Sequence, residues 1–349
     1  GSEFDDNKKM ELVGPIKESL DEDVEVAIVA TMSAGKSTLI NAMIGQKIMP
    51  SSPLACTASI VKLKNNIGLD EYKITKINDI KKEEFVDLDK MEQLKENSDV
   101  KTMELEGKIE GLKDIKNLVL VDTPGTNNGM NSEHKKTTMD FIKSNKKPII
   151  LFILNSENLF SDDEKQLLEV VAREIKGGDE KIDEDRFIFV VNRAEKLSKQ
   201  SYMEQAMQKV KDGLQEIGIK SPRVHYISAY NSMISRIDES NMEIDEEDNL
   251  YTLLGRIARR YNDERFIKYH EFSTLSPRIR QKLDNELEKA IENRNLKEAS
   301  IILSGVRGLE LSISEIVDKY KNINLVQNAV SEINRKIKKQ EIKERIQEE

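Results

Sequence analysis

The stretch Val24-Glu25-Val26-Ala27-Ile28-Val29-Ala30-Thr31-Met32-Ser33-Ala34-Gly35-Lys36-Ser37-Thr38-Leu39-Ile40-Asn41-Ala42-Met43-Ile44 decides how the rest of the chain is read. Its first seven residues are apolar except Glu25, as a buried strand requires, and the residues from Lys36 to Ile44 suit a short helix. Between them runs a turn holding Gly-Lys-Ser, and strand, turn and helix in that order make a phosphate-binding loop (P-loop). Gly35 lets the backbone approach an anion closely, and the N–H groups from Met32 to Thr38 can then converge on phosphate oxygens. Lys36 brings a point charge to the terminal phosphates, and the Ser37 hydroxyl can ligate Mg2+. The helix beginning near Lys36 aims its positive end at the same place. Ala30 stands where the motif usually has its first Gly, and it is small enough for the turn.

Further motifs follow in order. Leu118-Val119-Leu120-Val121-Asp122-Thr123-Pro124-Gly125 is an apolar strand ending in Asp-x-Pro-Gly. Asp122 is expected to reach the Mg2+ shell and the Gly125 N–H to meet a γ-phosphate, although Asp and Pro-Gly are also ordinary turn residues. Between this motif and the first lies Pro50-Ser51-Ser52-Pro53-Leu54-Ala55-Cys56-Thr57-Ala58. Thr57 is the candidate to close on Mg2+ and γ-phosphate from a loop, with Ser51, Ser52 and Ser59 as alternatives. Cys56 reads as a small packed side chain, because no histidine nearby in sequence could activate it. Phe189-Val190-Val191-Asn192-Arg193-Ala194-Glu195 matches Asn-Lys-x-Asp with two substitutions. The stem of Arg193 can cover a base. The Glu195 carboxylate can pair with guanine's N1–H and exocyclic amine from one methylene further out than Asp. Tyr226-Ile227-Ser228-Ala229 then closes a strand as a Ser-Ala base loop.

Strands are expected at residues 24–30, 59–63, 118–122, 148–154, 186–192 and 223–228, with helices at 36–44, 133–144, 162–176 and 202–217. That alternation predicts an α/β fold, a P-loop domain with a mostly parallel central sheet. Residues 64–117, with strand signals at 72–77 and 102–109, read as an insertion that extends the sheet and adds a surface helix. The acidic residues 239–248 read as a solvated loop, and helical spacing takes over beyond them, with Leu283, Leu287 and Ile291 on one stripe. Met10, Val13, Ile16 and Leu20 at one end and Val326, Val330, Ile333 and Ile337 at the other predict bundle helices packed on each other or on the helices of 276–304. The expected division is residues 1–4 as an expression scar, 5–21 as one bundle helix, 22–318 as the nucleotide domain and 319–349 as a second bundle helix. The last pattern reaches Glu349 without a stop signal, from which we expect a piece of a longer protein.

Composition narrows the function. Of 349 residues 34% are charged, with 55 Lys and Arg against 64 Asp and Glu, and a net charge of −9 argues against binding nucleic acid by bulk charge. One cysteine excludes an intrachain disulfide, and three histidines disfavour a histidine-rich metal site. No apolar run approaches the roughly 20 residues that span a bilayer, so a cytoplasmic protein is expected. His134 reads more simply as a surface residue at a helix start than as a nucleotide-facing one. The basic run Arg335-Lys336-Ile337-Lys338-Lys339 is followed by Glu341 and Glu344 and reads as a solvated helix face rather than a lipid contact.

The ordered set Ser33-Ala34-Gly35-Lys36-Ser37, Thr57, Asp122 to Gly125, Asn192 to Glu195 and Ser228-Ala229 resembles the dynamin family of large GTPases, most of all the bacterial dynamin-like proteins. The resemblance covers residues 22–229 and rests on helical architecture alone beyond them. It implies GTP and GDP as ligands with Mg2+ held by Ser37, Thr57 and Asp122. Nucleotide contacts are implied for Met32, Ser33, Ala34, Gly35, Lys36, Ser37, Thr38, Asp122, Asn192, Arg193, Glu195, Ser228 and Ala229. Ser33, with a monovalent cation as an optional helper, would stabilise charge between the β- and γ-phosphates. Lys36 and Gly125 would hold the reacting phosphate, and Thr57 would position the attacking water. Dynamins often carry Gln where Met32 stands, so Met32 is given no catalytic role. The implied partner is a second copy, as a nucleotide-dependent homodimer, with peripheral membrane contact through segments outside this chain. Two other readings stay open: a nucleotide-gated scaffold that hydrolyses slowly, and an enzyme of the same class acting on adenine nucleotides.

Overall fold

Strand β1 (Val24–Ala30) buries all seven of its side chains, which is what a central parallel strand with helices on both faces demands. It pairs in parallel with β7 (Ile149–Asn155), Val26 lying opposite Ile149. β7 pairs in parallel with β8 (Phe187–Asn192), and β8 with β9 (Val224–Tyr226). On the other side lie β6 (Leu118–Asp122) and β2 (Ile60–Asn65), antiparallel to each other with Val61 opposite Asp122. With β3 (Lys73–Ile77), β4 (Ile80–Phe85) and β5 (Thr102–Gly107), the described residues form a nine-stranded sheet in the order β4-β3-β5-β2-β6-β1-β7-β8-β9. This computed structural model describes residues 22–50, 59–125, 132–143, 147–175, 182–263 and 266–348.

The helices of this part are α1 (Lys36–Ile44), α2 (Leu88–Glu96), α3 (Ser132–Ile142), α4 (Asp162–Glu174) and α5 (Gln200–Glu216). Leu167, Leu168 and Val171 of α4 and Met203, Val210 and Leu214 of α5 bury their apolar stripes against Phe152, Phe187 and Phe189 of β7 and β8. The α/β fold with a mostly parallel sheet is as the sequence predicts, and strand and helix bounds move by one or two residues. Residues 64–117 do extend the sheet, through β3 (Lys73–Ile77), β4 (Ile80–Phe85) and β5 (Thr102–Gly107), with α2 between β4 and β5. β4 has no counterpart in the sequence reading, because every one of its side chains is exposed. It forms by pairing back on β3.

The acidic segment is not a loop. A 3-10 turn covers Glu239–Asn241, and α7 (Ile244–Arg260) starts inside the acidic run. Glu243 and Glu246 form a reciprocal capping box there, and Asp245, Glu246 and Glu247 sit in the first turn, where carboxylates favour a helix. α6 (Ala229–Arg236) precedes it, and α8 (Pro277–Glu292), α9 (Leu296–Leu303) and α10 (Val306–Glu348) follow. The predicted stripe holds: Leu283 is buried, and Leu287 and Ile291 pack with Ile257, Ala290 and Leu303. Arg236 at the end of α6 donates to the Ala42 carbonyl of α1 and to Glu310 in the first turns of α10, both at 2.6 Å. The helix after the phosphate loop, the helix after the base loop and the start of α10 are thereby joined.

Residues 25–312 form one compact unit. A second contains residues 22–24 and 313–348, and there α10 exposes Val326 and Val330. The expected helix at 5–21 lies outside the described residues, as do the side chains of Ile333, Ile337 and the basic run at 335–339.

One buried group makes the fold sensitive to acid. His225 in β9 is fully buried, and neither ring nitrogen has a hydrogen-bond partner among the described residues. Burial, aided by the nearby Arg223 charge, pushes its ring down to about 3. A depressed folded value means that the stability is whole above the unfolded value of about 6.5 and drains as pH falls below it, by about 2 kcal/mol at pH 5. His225→Leu is expected to flatten that acid limb in urea unfolding at pH 5 and pH 7.5. A variant losing stability as steeply as the parent would place the acid sensitivity elsewhere.

Candidate functional site

The C-terminal ends of β1, β6 and β8 and the loop after β9 bring the sequence motifs together. Gly35 (φ 87°, ψ 30°) turns the chain from β1 into α1, and no side chain among the described residues caps that helix start. No acidic residue lies in its first turn either. A helix end with neither device is suited to receive an anion on its first amides. Ser33, at φ 61°, is exposed in the turn, while Lys36, Ser37 and Thr38 are half-buried on the first turn of α1.

Asn192, at the end of β8, ties this loop to the base loop. Its Nδ2 donates to the Ala34 carbonyl at 2.9 Å, and its Oδ1 accepts from the Ala229 N–H at 3.1 Å. A Cβ at Gly35 would lie 2.2 Å from Asn192 Nδ2, so a side chain there would push the Asn192 carboxamide out of these two bonds.

Asp122, fully buried at the end of β6, is held by two ammonium groups. Lys36 donates to Oδ1, and Lys95 of α2 donates to Oδ2 at 2.8 Å. Burial pushes the Asp122 carboxyl up, but the two lysines pull harder and hold it below the usual carboxylate range. Lys95 was not legible from sequence, because nothing in the spacing of the insertion marks a lysine that turns inward. Beyond Asp122, the Thr123 hydroxyl donates to the Ile28 carbonyl at 2.8 Å and pins the turn to β1. A side chain at Gly125 would meet Met32, so the two motifs are in near contact. His134 is a correction: it starts a helix as expected but is buried rather than on the surface, with Nδ1 3.2 Å from the Gly125 carbonyl.

At the base end, Arg193 sits at φ 62° and reaches back over the phosphate loop, its Nη2 donating to the Ser33 carbonyl at 2.9 Å and its Nη1 to Glu157 at 2.5 Å. The loop after β7 supports it from below, with the Ser156 hydroxyl donating to the Arg193 carbonyl at 2.8 Å. Glu164 fixes that loop by accepting from the Asn155 and Phe160 N–H groups, and burial outweighs those bonds and pushes its carboxyl up to about 7. Glu195 lines a cavity of about 600 Å³ with Tyr230, Asn231, Asn249 and Arg256. Its Oε2 is buried and has no partner among the described residues. The Ser228 hydroxyl caps α6 at Asn231, and its N–H donates to the Ser304 carbonyl at 2.8 Å. Thr57, with Ser51, Ser52 and Cys56, lies outside the described residues.

A phosphate loop on the first strand of the domain, a buried Asp-x-Pro-Gly beside its lysine and an Asn-Arg-Ala-Glu segment bonded to both loops define a P-loop nucleotide-binding domain of the GTPase kind. Residues 26–194 match the model of the dynamin family. The chain is 24% identical over 370 aligned residues to Transmembrane GTPase Marf of Drosophila melanogaster, covering 94% of this chain and 43% of that protein. It is 29% identical over 206 residues to the protein of the xynA 3′ region of Caldicellulosiruptor sp. (strain Rt8B.4), covering 57% of this chain and 47% of that one. A solved structure described as an oligomerised bacterial dynamin pair superimposes with a TM-score of 0.50 at 18% identity, covering 97% of this chain and 64% of that one, a likeness of fold. This chain spans less than half the length of those two curated relatives. The match to the dynamin family lies in the nucleotide-binding domain and covers just under half of this chain.

Proposed function

We propose that this chain binds and hydrolyses GTP with Mg2+, pairs with a second copy across its nucleotide face, and uses turnover to move its attached helices at a membrane surface. The observation that carries the choice of nucleotide is Glu195 Oε2, buried without a partner among the described residues at the end of the segment that Asn192 bonds to both loops. An unsatisfied buried acceptor costs about 1–3 kcal/mol. Guanine offers it two donors on one edge, N1–H and the exocyclic amine, whereas adenine sets a lone pair at N1 against it.

In this reading Lys36 leaves Asp122 for the terminal phosphates, and the uncapped first turn of α1 receives the phosphate oxygens. Ser37, Asp122 and Thr57 are the residues that would hold Mg2+, which when bound neutralises charge on the phosphate oxygens. Thr57 positions the attacking water, and Ser33, exposed in the turn, serves the charge growing between the β- and γ-phosphates, with a monovalent cation as its helper. Positioning and electrostatics carry phosphoryl transfer, so no side-chain base is required. The name of the fly relative, a transmembrane GTPase, supports a membrane setting. No helix among the described residues is long and apolar enough to cross a bilayer, and contact is proposed as peripheral. A second reading, a nucleotide-gated scaffold that turns over slowly, is favoured by Met32, whose side chain near Gly125 offers no donor to polarise water.

Turnover of GTP and ATP across a range of protein concentrations tests these points together. Activity per molecule is expected to rise with concentration, and GTP to be preferred by roughly tenfold or more, the worth of one buried pairing. Equal affinity for the two nucleotides would refute the role of Glu195. Concentration-independent turnover would refute the dimer.

A further inference from the structure

Asp122 has two lysine partners where the proposed chemistry uses one. Lys95 comes from the last turn of α2, in the insertion between β4 and β5, four residues after the fully buried Met91 on the same helix face. Its side chain is 11% exposed and that of Asp122 2%. A lysine that buried loses solvation and side-chain freedom, and an aspartate already bonded to Lys36 does not need it to be neutralised. The second cation matters when the first one leaves. Once Lys36 turns to the phosphates, Asp122 without Lys95 would be a buried carboxylate beside a polyphosphate, with no counter-charge until Mg2+ binds.

We propose that Lys95 is a positioning residue for nucleotide binding: it is the counter-ion that stays with Asp122 when Lys36 is drawn to the phosphates, so that Lys36 is free to move. This rests on the GTP reading above. The sheet supports the geometry, because β2 and β5 place the insertion beside β6, and the two lysines approach different oxygens of one carboxylate. Removing the bond at Oδ1 therefore leaves the bond at Oδ2 intact. Lys95 is expected to matter most when no Mg2+ is present to share the duty.

Binding of a fluorescent GDP analogue to the parent, Lys95→Met and Lys95→Arg, in EDTA and in millimolar Mg2+, tests this. Lys95→Met is expected to weaken binding in EDTA by roughly tenfold, the cost of one charge-assisted bond. The deficit should shrink in Mg2+, and Lys95→Arg should restore most of the affinity. Melting of nucleotide-free Lys95→Met should stay near the parent, because Lys36 still pairs Asp122 there. In an Asp122→Asn background, Lys95→Met should add no further loss. Parental affinity in EDTA, an equal deficit with and without Mg2+, or a fall in melting temperature with unchanged affinity would each overturn the proposal. A parent that binds neither GDP nor GTP would instead overturn the nucleotide reading on which it rests.

Discussion

Lys36→Ala is expected to weaken GTP binding by about 100-fold, close to 3 kcal/mol, the worth of a well-placed cation on a phosphate tail. The nucleotide-free fold should survive this change. Asp122 keeps Lys95 on its other oxygen, so no buried carboxylate is stranded. Calorimetric titration with GTP, beside a melting curve of the free protein, separates the two effects. Loss of binding at an unchanged melting temperature is the expected result. Unchanged affinity in a folded variant would remove the phosphate-loop assignment altogether.

The second large effect lies far from the phosphates. Gly305, between α9 and α10, has φ 82°, and a Cβ there would lie 2.2 Å from the Tyr226 carbonyl and 3.3 Å from the Ile227 side chain. The carbonyl cannot retreat easily, since Tyr226 is paired with Val191 in the sheet and the next turn is bonded through Ser228 N–H to Ser304. Gly305→Ala is therefore expected to cost about 3 kcal/mol, backbone strain plus overpacking, and to lower the melting temperature by roughly 6–10 °C. Gly218→Ala is the control: φ is 94°, yet the nearest atom to a new Cβ is 4.0 Å away. It carries the strain without the collision and should cost about 1 kcal/mol. Equal losses in the two variants would mean that the Tyr226 carbonyl yields. The displaced base loop in Gly305→Ala should also narrow the preference for GTP over ATP.

The parts of this molecule that were legible in sequence are those whose physics is local. Residues 24–30 and 118–122 are buried on both faces, so they spell continuous apolar runs, and their ends carry the small and polar residues that phosphate binding needs. β4 was not legible, since Ile80-Lys81-Lys82-Glu83-Glu84-Phe85 is wholly exposed and owes its form to the Asn78 turn (φ 46°) and to pairing with β3. The acidic start of α7 reads as a solvated loop from its charge density, whereas the reciprocal caps of Glu243 and Glu246 make the same residues a helix start. Lys95 meets Asp122 across 27 residues of chain, and its meaning exists only after β2 and β5 have brought the insertion alongside β6. His134 is illegible for a similar reason: it is buried with its ring beside the Gly125 carbonyl, which its charged neighbours in sequence do not announce.

The carboxamide of Asn192 has a mechanical consequence. It donates a hydrogen bond to one loop and accepts one from another, while Gly35 closes the space beside it. Phosphate loop and base loop can part only by the small stretch that two hydrogen bonds tolerate. They are therefore one rigid anvil rather than two jaws. A change of shape that accompanies a nucleotide's arrival or departure then meets less resistance on the opposite wall, where β6 and the insertion meet.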